Sequence, residues 1–221
     1  MNRQGCVNMN RPGLAAVMAV AGLFALRGAA ATWIGTTGSF TNAANWDTGV
    51  TPANGVTVTV DNCGMALLDG ASVSVGIVNL GSVAGSAGSL SMSAGAFTNT
   101  YLFVGKAGTG TVEQTGGDVV VSSSSDPSLG IGYAATGVGS YTLSGGSVNM
   151  LSSGNLQVGA YGRAYFDQSG GAFTGRGWMV VGRYGPGGNG ALTVSGGEFC
   201  QYSTAHRLII EIGRASCRER V

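Results

Sequence analysis

Two short signatures recur in a fixed order along most of this 221-residue chain. One is a Ser/Thr-Gly-Gly corner, and the other is Leu-x-Val/Ile-Gly, with Met for Leu in the last copy. Counted from a degenerate first copy, Ala94-Gly95, the second glycines of the pairs are 22, 29, 25 and 26 residues apart. A period of about 20 to 50 residues predicts units that stack along one axis, since a single unit cannot bury its own apolar face. The glycine pairs are Gly116-Gly117, Gly145-Gly146, Gly170-Gly171 and Gly196-Gly197, and the second signature ends at Gly105, Gly132, Gly159 and Gly182.

The apolar positions stay in register between the copies while the loops change length. Around each signature they alternate with other residues, and a period of two predicts half-buried β-strands. The same residue type at the same repeat position predicts rows of side chains inside a stack of coils. The four rows are Leu90, Val112, Tyr141, Phe166 and Leu192; Phe97, Val119, Val148, Phe173 and Phe199; Leu102, Leu129, Leu156, Met179 and Leu208; and Val104, Ile131, Val158, Val181 and Ile210.

The fold class follows from these rows. We predict an all-β protein, a right-handed parallel β-solenoid of about five clear coils behind a weaker N-terminal cap region. Glycine supplies 41 residues because paired glycines adopt the positive φ angles that the corners need. The four prolines are too few for collagen, and an apolar share of 44% is too high for a disordered chain.

The first 31 residues have the pattern of a secretory signal peptide. Arg3 and Arg11 precede an apolar stretch from Leu14 to Leu26, and Ala29-Ala30-Ala31 offers a small-residue cleavage site. Thirteen residues of helix span only about 20 Å, less than the core of a bilayer. An uncleaved N-terminal membrane anchor is the alternative.

The last eleven residues, EIGRASCRERV at 211–221, match the translation of a common short-read sequencing adapter that ends at a stop codon. The repeat demands a glycine after Ile210, and the adapter match begins there instead. The alternative is a genuine basic tail. We therefore divide the chain into a signal peptide (1–31), an N-terminal cap with weak coils (32–88), truncated solenoid repeats (89–210) and an adapter-derived segment (211–221).

Residues 32–210 carry five basic and eight acidic residues, a net charge of −3. Nucleic acid is an unlikely partner on this ground, because no basic excess exists to neutralise phosphates. Only Cys63 and Cys200 remain, and two cysteines make no disulfide framework. Free thiols and one accidental bridge both stay open.

The pattern of reactive residues predicts no catalytic site, no metal site and no cofactor. The single histidine, His206, lies in the last coil. Glu113 and Asp167 precede the glycine pair, whereas Asp118 and Glu198 follow it, so the carboxylates do not converge as glycoside hydrolysis requires. The aspartate row of calcium-binding nonapeptide repeats is missing, because Asp118, Ser147, Ala172 and Glu198 follow the glycine pairs.

Three tyrosines fall just past the Val/Ile-Gly of successive coils: Tyr133, Tyr161 and Tyr184. Stacked on one edge, they would form an aromatic strip able to hold sugar rings, with hydroxyls free to hydrogen-bond. The alternative is a tyrosine ladder that only covers the corner of each coil.

The Ser/Thr-Gly-Gly and Leu-x-Val-Gly repeats, behind a Trp33-Ile34-Gly35 and Asn45-Trp46 opening, resemble secreted bacterial surface proteins of the autotransporter-passenger and PEP-CTERM-sorted kinds. The resemblance implies a right-handed solenoid displayed outside the cell, with an anchor in a missing C-terminal part and no membrane contact by the repeats.

The expected function is that of a non-catalytic, secreted or surface-displayed passenger, a structural spacer or adhesin fragment. Its expected partners are extracellular polysaccharides or other components of the cell surface. Two alternatives remain: a carbohydrate-binding module that uses the tyrosines, and a polysaccharide lyase or hydrolase whose catalytic coils lie in the lost portion.

Overall fold

The structure, a computed structural model, describes residues 30–184, 187–203, 205–210 and 215–219, with the backbone alone at 210 and 215–219. This part of the chain is built of β-strands and one short 3₁₀-helix, Ala43–Asn45, whose N-terminus is capped by the Asn42 side chain. The strands are β1 (Ala30–Thr32), β2 (Thr37–Ser39), β3 (Thr57–Val60), β4 (Asn62–Ser74), β5 (Ile77–Leu80), β6 (Ala87–Asn99), β7 (Tyr101–Val104), β8 (Thr109–Gln114), β9 (Asp118–Val121), β10 (Leu129–Ile131), β11 (Val138–Leu143), β12 (Ser147–Met150), β13 (Leu156–Val158), β14 (Arg163–Gln168), β15 (Ala172–Gly175), β16 (Met179–Val181), β17 (Asn189–Val194), β18 (Glu198–Gln201), β19 (Leu208–Ile210) and β20 (Ala215–Glu219).

The strands form a parallel β-solenoid of about seven turns, as the sequence predicts. Side 1 is a sheet of eight strands in the order β1-β3-β5-β7-β10-β13-β16-β19. Sides 2 and 3 belong to one sheet of twelve strands, because β4 and β6 run through both sides without a break. Side 2 continues through β8, β11, β14, β17 and β20, and side 3 through β9, β12, β15 and β18. The right-handed winding of the solenoid stays a prediction.

All four predicted rows are confirmed by the pairing register. On side 1, Leu129 pairs with Leu102 and Leu156, and on side 2 Tyr141 pairs with Val112 and Phe166. The five members of the row that begins at Leu90 and ends at Leu192 are at most 2% exposed, because each is covered by the coils before and after it. The core is therefore a continuous column of apolar side chains along the axis.

The glycine pair works differently from the prediction, because only its second member has a positive φ. Gly146, for example, has φ +77°, whereas Gly145 does not enter this region. Gly145 is required for a different reason, since a Cβ there would collide with the carbonyl oxygen of Thr115 in the preceding coil. The second glycine thus makes the turn, and both glycines let neighbouring corners approach closely.

The predicted cap region forms the first coil and closes the column with an aromatic cluster. Trp33 and Trp46 pack edge to face with 5.1 Å between ring centroids, and Phe40 lies 4.8 Å from Trp46. Phe40 also reaches Phe97, two coils along, at 5.5 Å. The indole nitrogen of Trp46 donates a hydrogen bond of 2.7 Å to the carbonyl of Phe40. The weak coils predicted over 63–88 correspond to one turn of the solenoid, formed by β4, β5 and the start of β6.

The predictions for the two ends of the chain remain untested. Of the predicted signal peptide (1–31), residues 1–29 are outside the described residues. Its last two residues, Ala30 and Ala31, lie in β1. Residues 211–214, 220 and 221 of the adapter-derived segment are also outside the described residues, while β20, from the same segment, pairs with β17. In the last coils Leu208 is 41% exposed, unlike the other members of its row.

Candidate functional site

The first corner of each coil, which follows side 1, holds the three tyrosines of the sequence prediction. It comprises residues 105–108, 132–137, 159–162 and 182–188 of four successive coils, of which 185 and 186 are outside the described residues. Tyr161 and Tyr184 lie two residues after the corner glycine, and Tyr133 lies one residue after it. Tyr133 therefore occupies the repeat position that holds Lys106 and Arg183 in other coils.

The fold brings the three tyrosines into one line of contacts. Tyr161 and Tyr184 share a repeat position and stack, with ring centroids 5.4 Å apart and planes at 24°. Tyr133, which is offset by one residue, meets Tyr161 edge to face at 6.2 Å and 87°. Tyr161 is 43% exposed, and the other two rings are half-buried.

Two further aromatic residues extend this line, and the sequence analysis missed both. Phe103 lies 5.4 Å from Tyr133, and Tyr101 stacks on Phe103 at 6.3 Å. Both belong to β7, where they alternate with the buried row residues Leu102 and Val104 and therefore project outward. That alternation was the available signal. We call the five residues Tyr101, Phe103, Tyr133, Tyr161 and Tyr184 the aromatic strip.

A cation lies over a ring at each of two places on the strip. The Lys106 ammonium is 5.1 Å from the centroid of Phe103, and the Arg183 guanidinium is 4.9 Å from that of Tyr184. Such contacts stabilise an exposed pair by about 0.5 to 1 kcal/mol. They also hold the positive charges on the strip instead of leaving them to move freely in solvent.

The loop between β9 and β10 borders the strip on side 1. Pro127 and the Phe103 ring lie over Gly130, where a larger side chain would displace the ring. Gln157, only 2% exposed, donates from Nε2 to Asp126 Oδ1 at 2.5 Å.

Tyr101 donates to the Ser125 hydroxyl at 3.0 Å, and hydrogen bonds with Ser123 and Ser125 lower the pKa of Tyr101. The Tyr101 end of the strip is thus already engaged by the protein.

The hydroxyls of Tyr133, Tyr161 and Tyr184 differ from that of Tyr101, because within the described residues none of the three makes a protein hydrogen bond. Since Tyr161 and Tyr184 stack on each other, they present ring edges and hydroxyls outward rather than open ring faces. The arrangement is suited to edge contacts and hydrogen bonds with an elongated polar ligand lying along the corner. A single sugar sandwiched flat between two rings would not fit it.

Tyr184 has an unusual backbone conformation, with φ +74°. A bulky residue rarely adopts a positive φ, and the conformation costs on the order of 1 kcal/mol or more. In this strained conformation the Tyr184 ring stacks on Tyr161, and the Arg183 guanidinium lies over its face. Strain of this kind often marks positions that are retained for a role other than stability.

The acidic residues that sequence analysis considered for catalysis are held apart by the register. Thr142 pairs with both Glu113 and Asp167, so the two carboxylates are two coils apart, or about 10 Å at about 4.8 Å per coil. Asp118 and Glu198 are three coils apart, and Asp118 accepts a hydrogen bond of 2.6 Å from the Ser147 hydroxyl.

His206 is part of a local turn. Its Nδ1 lies 2.7 Å from the Ser203 hydroxyl oxygen, which also accepts the backbone N–H groups of Ala205 and His206. The ring packs edge to face on Trp178 at 5.7 Å. These contacts account for the position of the histidine without a substrate.

Cys63 and Cys200, the two cysteines of residues 32–210, are free thiols, the first exposed and the second half-buried. Glu198 Oε1 accepts a hydrogen bond of 3.0 Å from the Cys200 thiol and raises the pKa of this thiol. Across the described ranges, no group of three or more His, Cys, Asp or Glu side chains is placed to hold a metal ion.

The chain was compared with known proteins at three levels. No protein-family model, no curated protein and no solved structure matches it. In the part of the chain that the structure describes, no helix is both long enough and apolar enough to cross a membrane.

Proposed function

We propose that the chain is a secreted protein of the bacterial cell surface whose solenoid acts as a rigid structural spacer or adhesin segment. The observation that carries this proposal is the difference in polarity between the inward-facing and outward-facing positions of each strand. Inward positions form a continuous, mostly apolar column, while the outer face of side 2 carries several small polar side chains: Ser89, Ser91, Thr111, Ser140, Thr142 and Thr193. Strand pairing joins each coil to the next along this body, and these hydroxyl groups lie on its solvent side.

The signal-peptide pattern at residues 1–31 supports export. To test it, the full chain with an epitope tag is expressed in a Gram-negative host beside a variant that lacks residues 14–26. We expect the full chain outside the cytoplasm and accessible to added protease, and the variant inside. Retention of both chains in the cytoplasm would overturn the proposal.

A second candidate function is that of a carbohydrate-binding module. The observation that favours it is the contact of Tyr133, Tyr161 and Tyr184 in one line, with hydroxyls that make no hydrogen bond to any residue that the structure describes. The two functions are compatible, because an adhesin needs both a stiff body and a surface that recognises something. Binding to a panel of polysaccharides, with Tyr161→Ala as the test variant, separates a spacer from a module of this kind.

A further inference from the structure

We propose that the aromatic strip and the basic residues around it bind an anionic polysaccharide, a polymer of sugars that carry carboxylate or sulfate groups, along the first corner. This inference deepens the second candidate function by naming the ligand class. It rests on the proposed export only for access to extracellular polymers.

Positive charge is concentrated at the first corner. Residues 32–210 have a net charge of −3 and only five basic residues. Three of them lie at the first corner or directly after it: Lys106, Arg163 and Arg183. The corner segments 105–109, 132–138, 159–163 and 182–189 contain no Asp or Glu. An acidic protein therefore concentrates its positive charge on the edge that carries the tyrosines, and this favours an anionic ligand there.

The two cations that lie over aromatic rings are widely spaced along the axis. Lys106 lies over Phe103 of β7, and Arg183 lies over Tyr184, three coils further along the axis. At about 4.8 Å per coil this separation is about 14 Å. A small anion cannot reach both cations, whereas a polymer with charges repeated along its length can.

Neutral tyrosine side chains lie between the two cations. Tyr133 and Tyr161 lie in this interval, with half-buried or exposed rings and with hydroxyls that make no hydrogen bond within the described residues. Tyrosine offers both apolar ring surface and a hydroxyl that donates and accepts. A polysaccharide presents C–H groups and hydroxyls, so the ring edges and hydroxyls of the strip match both of its chemistries.

The border with side 1 limits the path of the ligand. Asp126 is exposed there, and Oδ1 of its carboxylate is engaged by Gln157. Its negative charge repels an anionic chain from side 1. The ligand is therefore confined to the corner, in line with Tyr133, Tyr161 and Tyr184.

The test measures binding of the purified full chain to polygalacturonate, heparin and dextran, which are carboxylated, sulfated and neutral polymers. Isothermal titration at about 0.1 M and about 1 M NaCl compares conditions in which the screening length falls from about 10 Å to about 3 Å. We expect binding to polygalacturonate or heparin that weakens with salt, and no binding to dextran. The two anionic polymers distinguish a preference for carboxylate from one for sulfate.

Matched variants locate the site. Tyr161→Ala is compared with Tyr165→Ala, a tyrosine of the same coil that is 48% exposed and lies outside the strip. The double variant Lys106→Gln/Arg183→Gln is compared with Arg176→Gln, an exposed arginine away from the corner. We expect the strip variants to lose about tenfold in affinity, which is about 1.4 kcal/mol, and the controls to bind like the parent. Circular dichroism and thermal unfolding check that each variant is folded.

Three results would overturn the inference: equal binding of dextran, equal losses in the control variants, or tighter binding of a single-stranded DNA oligomer than of either anionic polysaccharide. Absence of binding in a chain that is exported would reject this site and leave the spacer intact. Binding by a chain that is retained in the cytoplasm would reject the proposed export and leave the site intact.

Discussion

The hydroxyl of Tyr141 donates a hydrogen bond of 2.6 Å to Oε1 of Gln114 inside the apolar column, across two neighbouring coils. Gln114 in turn donates from Nε2 to the carbonyls of Gly117 and Ser147, at 2.9 Å each. Both side chains are fully buried. The interior of the solenoid thus contains a saturated polar link between successive coils, surrounded by apolar rows.

This link predicts a loss of stability at alkaline pH. Burial raises the pKa of Tyr141 well above the value of about 10 that it has in the unfolded chain. The stabilising contribution is therefore complete below pH 10 and is lost above it, by about 1.4 kcal/mol per pH unit, as the unfolded tyrosine ionises. Denaturant unfolding at pH 7 and about pH 11 measures the effect, with Tyr141→Phe as comparison.

At pH 7 the parent should exceed Tyr141→Phe by about 1 kcal/mol in free energy of unfolding, because the variant leaves Oε1 of Gln114 without a donor. At about pH 11 this advantage should shrink or reverse. A difference between the two proteins that is constant over this range would contradict the prediction.

A second prediction concerns Asn99, which points into the column beside Val121. It is 1% exposed, and among the described residues neither its amide nitrogen nor its amide oxygen has a hydrogen-bond partner. A buried unsatisfied polar group costs about 1 to 3 kcal/mol. Asn99→Leu should therefore raise the melting temperature. Gln114→Leu is the matched control and should lower it, because it breaks three hydrogen bonds; the opposite order would refute the argument.

A third prediction separates the two reasons for glycine at a corner. Gly146→Ala combines a positive φ of +77° with a Cβ that collides with backbone atoms of Gly116 and Gly117. Gly85→Ala has a similar φ, +83°, in open space. We expect about 1 to 2 kcal/mol of destabilisation at Gly85 from the backbone conformation alone, and clearly more at Gly146. Equal losses in urea unfolding would show that neighbouring corners are free to separate.

A fourth prediction concerns the removal of one coil. Gly139 pairs with Ala164, so the two residues are equivalent and the deletion that preserves the register spans 139–163. This variant should keep its β-type circular dichroism and unfold cooperatively, because the strands of each coil pair only with strands of the adjacent coils. Deletion of 140–163 retains one residue too many, which must bulge out or reverse the faces of the strand. It should melt at a lower temperature; a collapse of both variants would count against stacking of independent coils.

The repeat was sufficient to predict the fold because its evidence is redundant. Each of the rows through Leu129, Ile131, Tyr141 and Val148 was identified from several copies, and the pairing register joins the same residues. Loop length did not disturb the prediction, since the loops lie outside the ladders. The unpredicted 3₁₀-helix, Ala43–Asn45, occurs in the first coil, where no second copy exists for comparison.

The candidate site was predicted only in part, for a physical reason. Tyr133, Tyr161 and Tyr184 share a place beside the corner glycines, and therefore the sequence indicated them. Phe103 and Lys106 join the strip through contacts between coils, at 5.4 Å from Tyr133 and 5.1 Å from the Phe103 ring. The register places Gly130, Gln157 and Val180 at the position of Phe103 in later coils, so the repeat does not mark this position as aromatic, and Lys106 shares its repeat position with Tyr133 and Arg183. Only the alternation along β7 indicated that Phe103 projects outward. Recognition surfaces on a repeat protein arise where copies differ.

The constant register between coils of unequal length has a consequence for how such a molecule can diversify. Each coil advances the axis by about 4.8 Å whether its loops are short or long, and the coils here vary from 22 to 29 residues. The length of the solenoid therefore depends on the number of coils, while the shape of the corners depends on the residues inserted between strands. Additional coils lengthen the solenoid without altering an existing contact surface. Residues inserted at the corners create a new contact surface without altering the length.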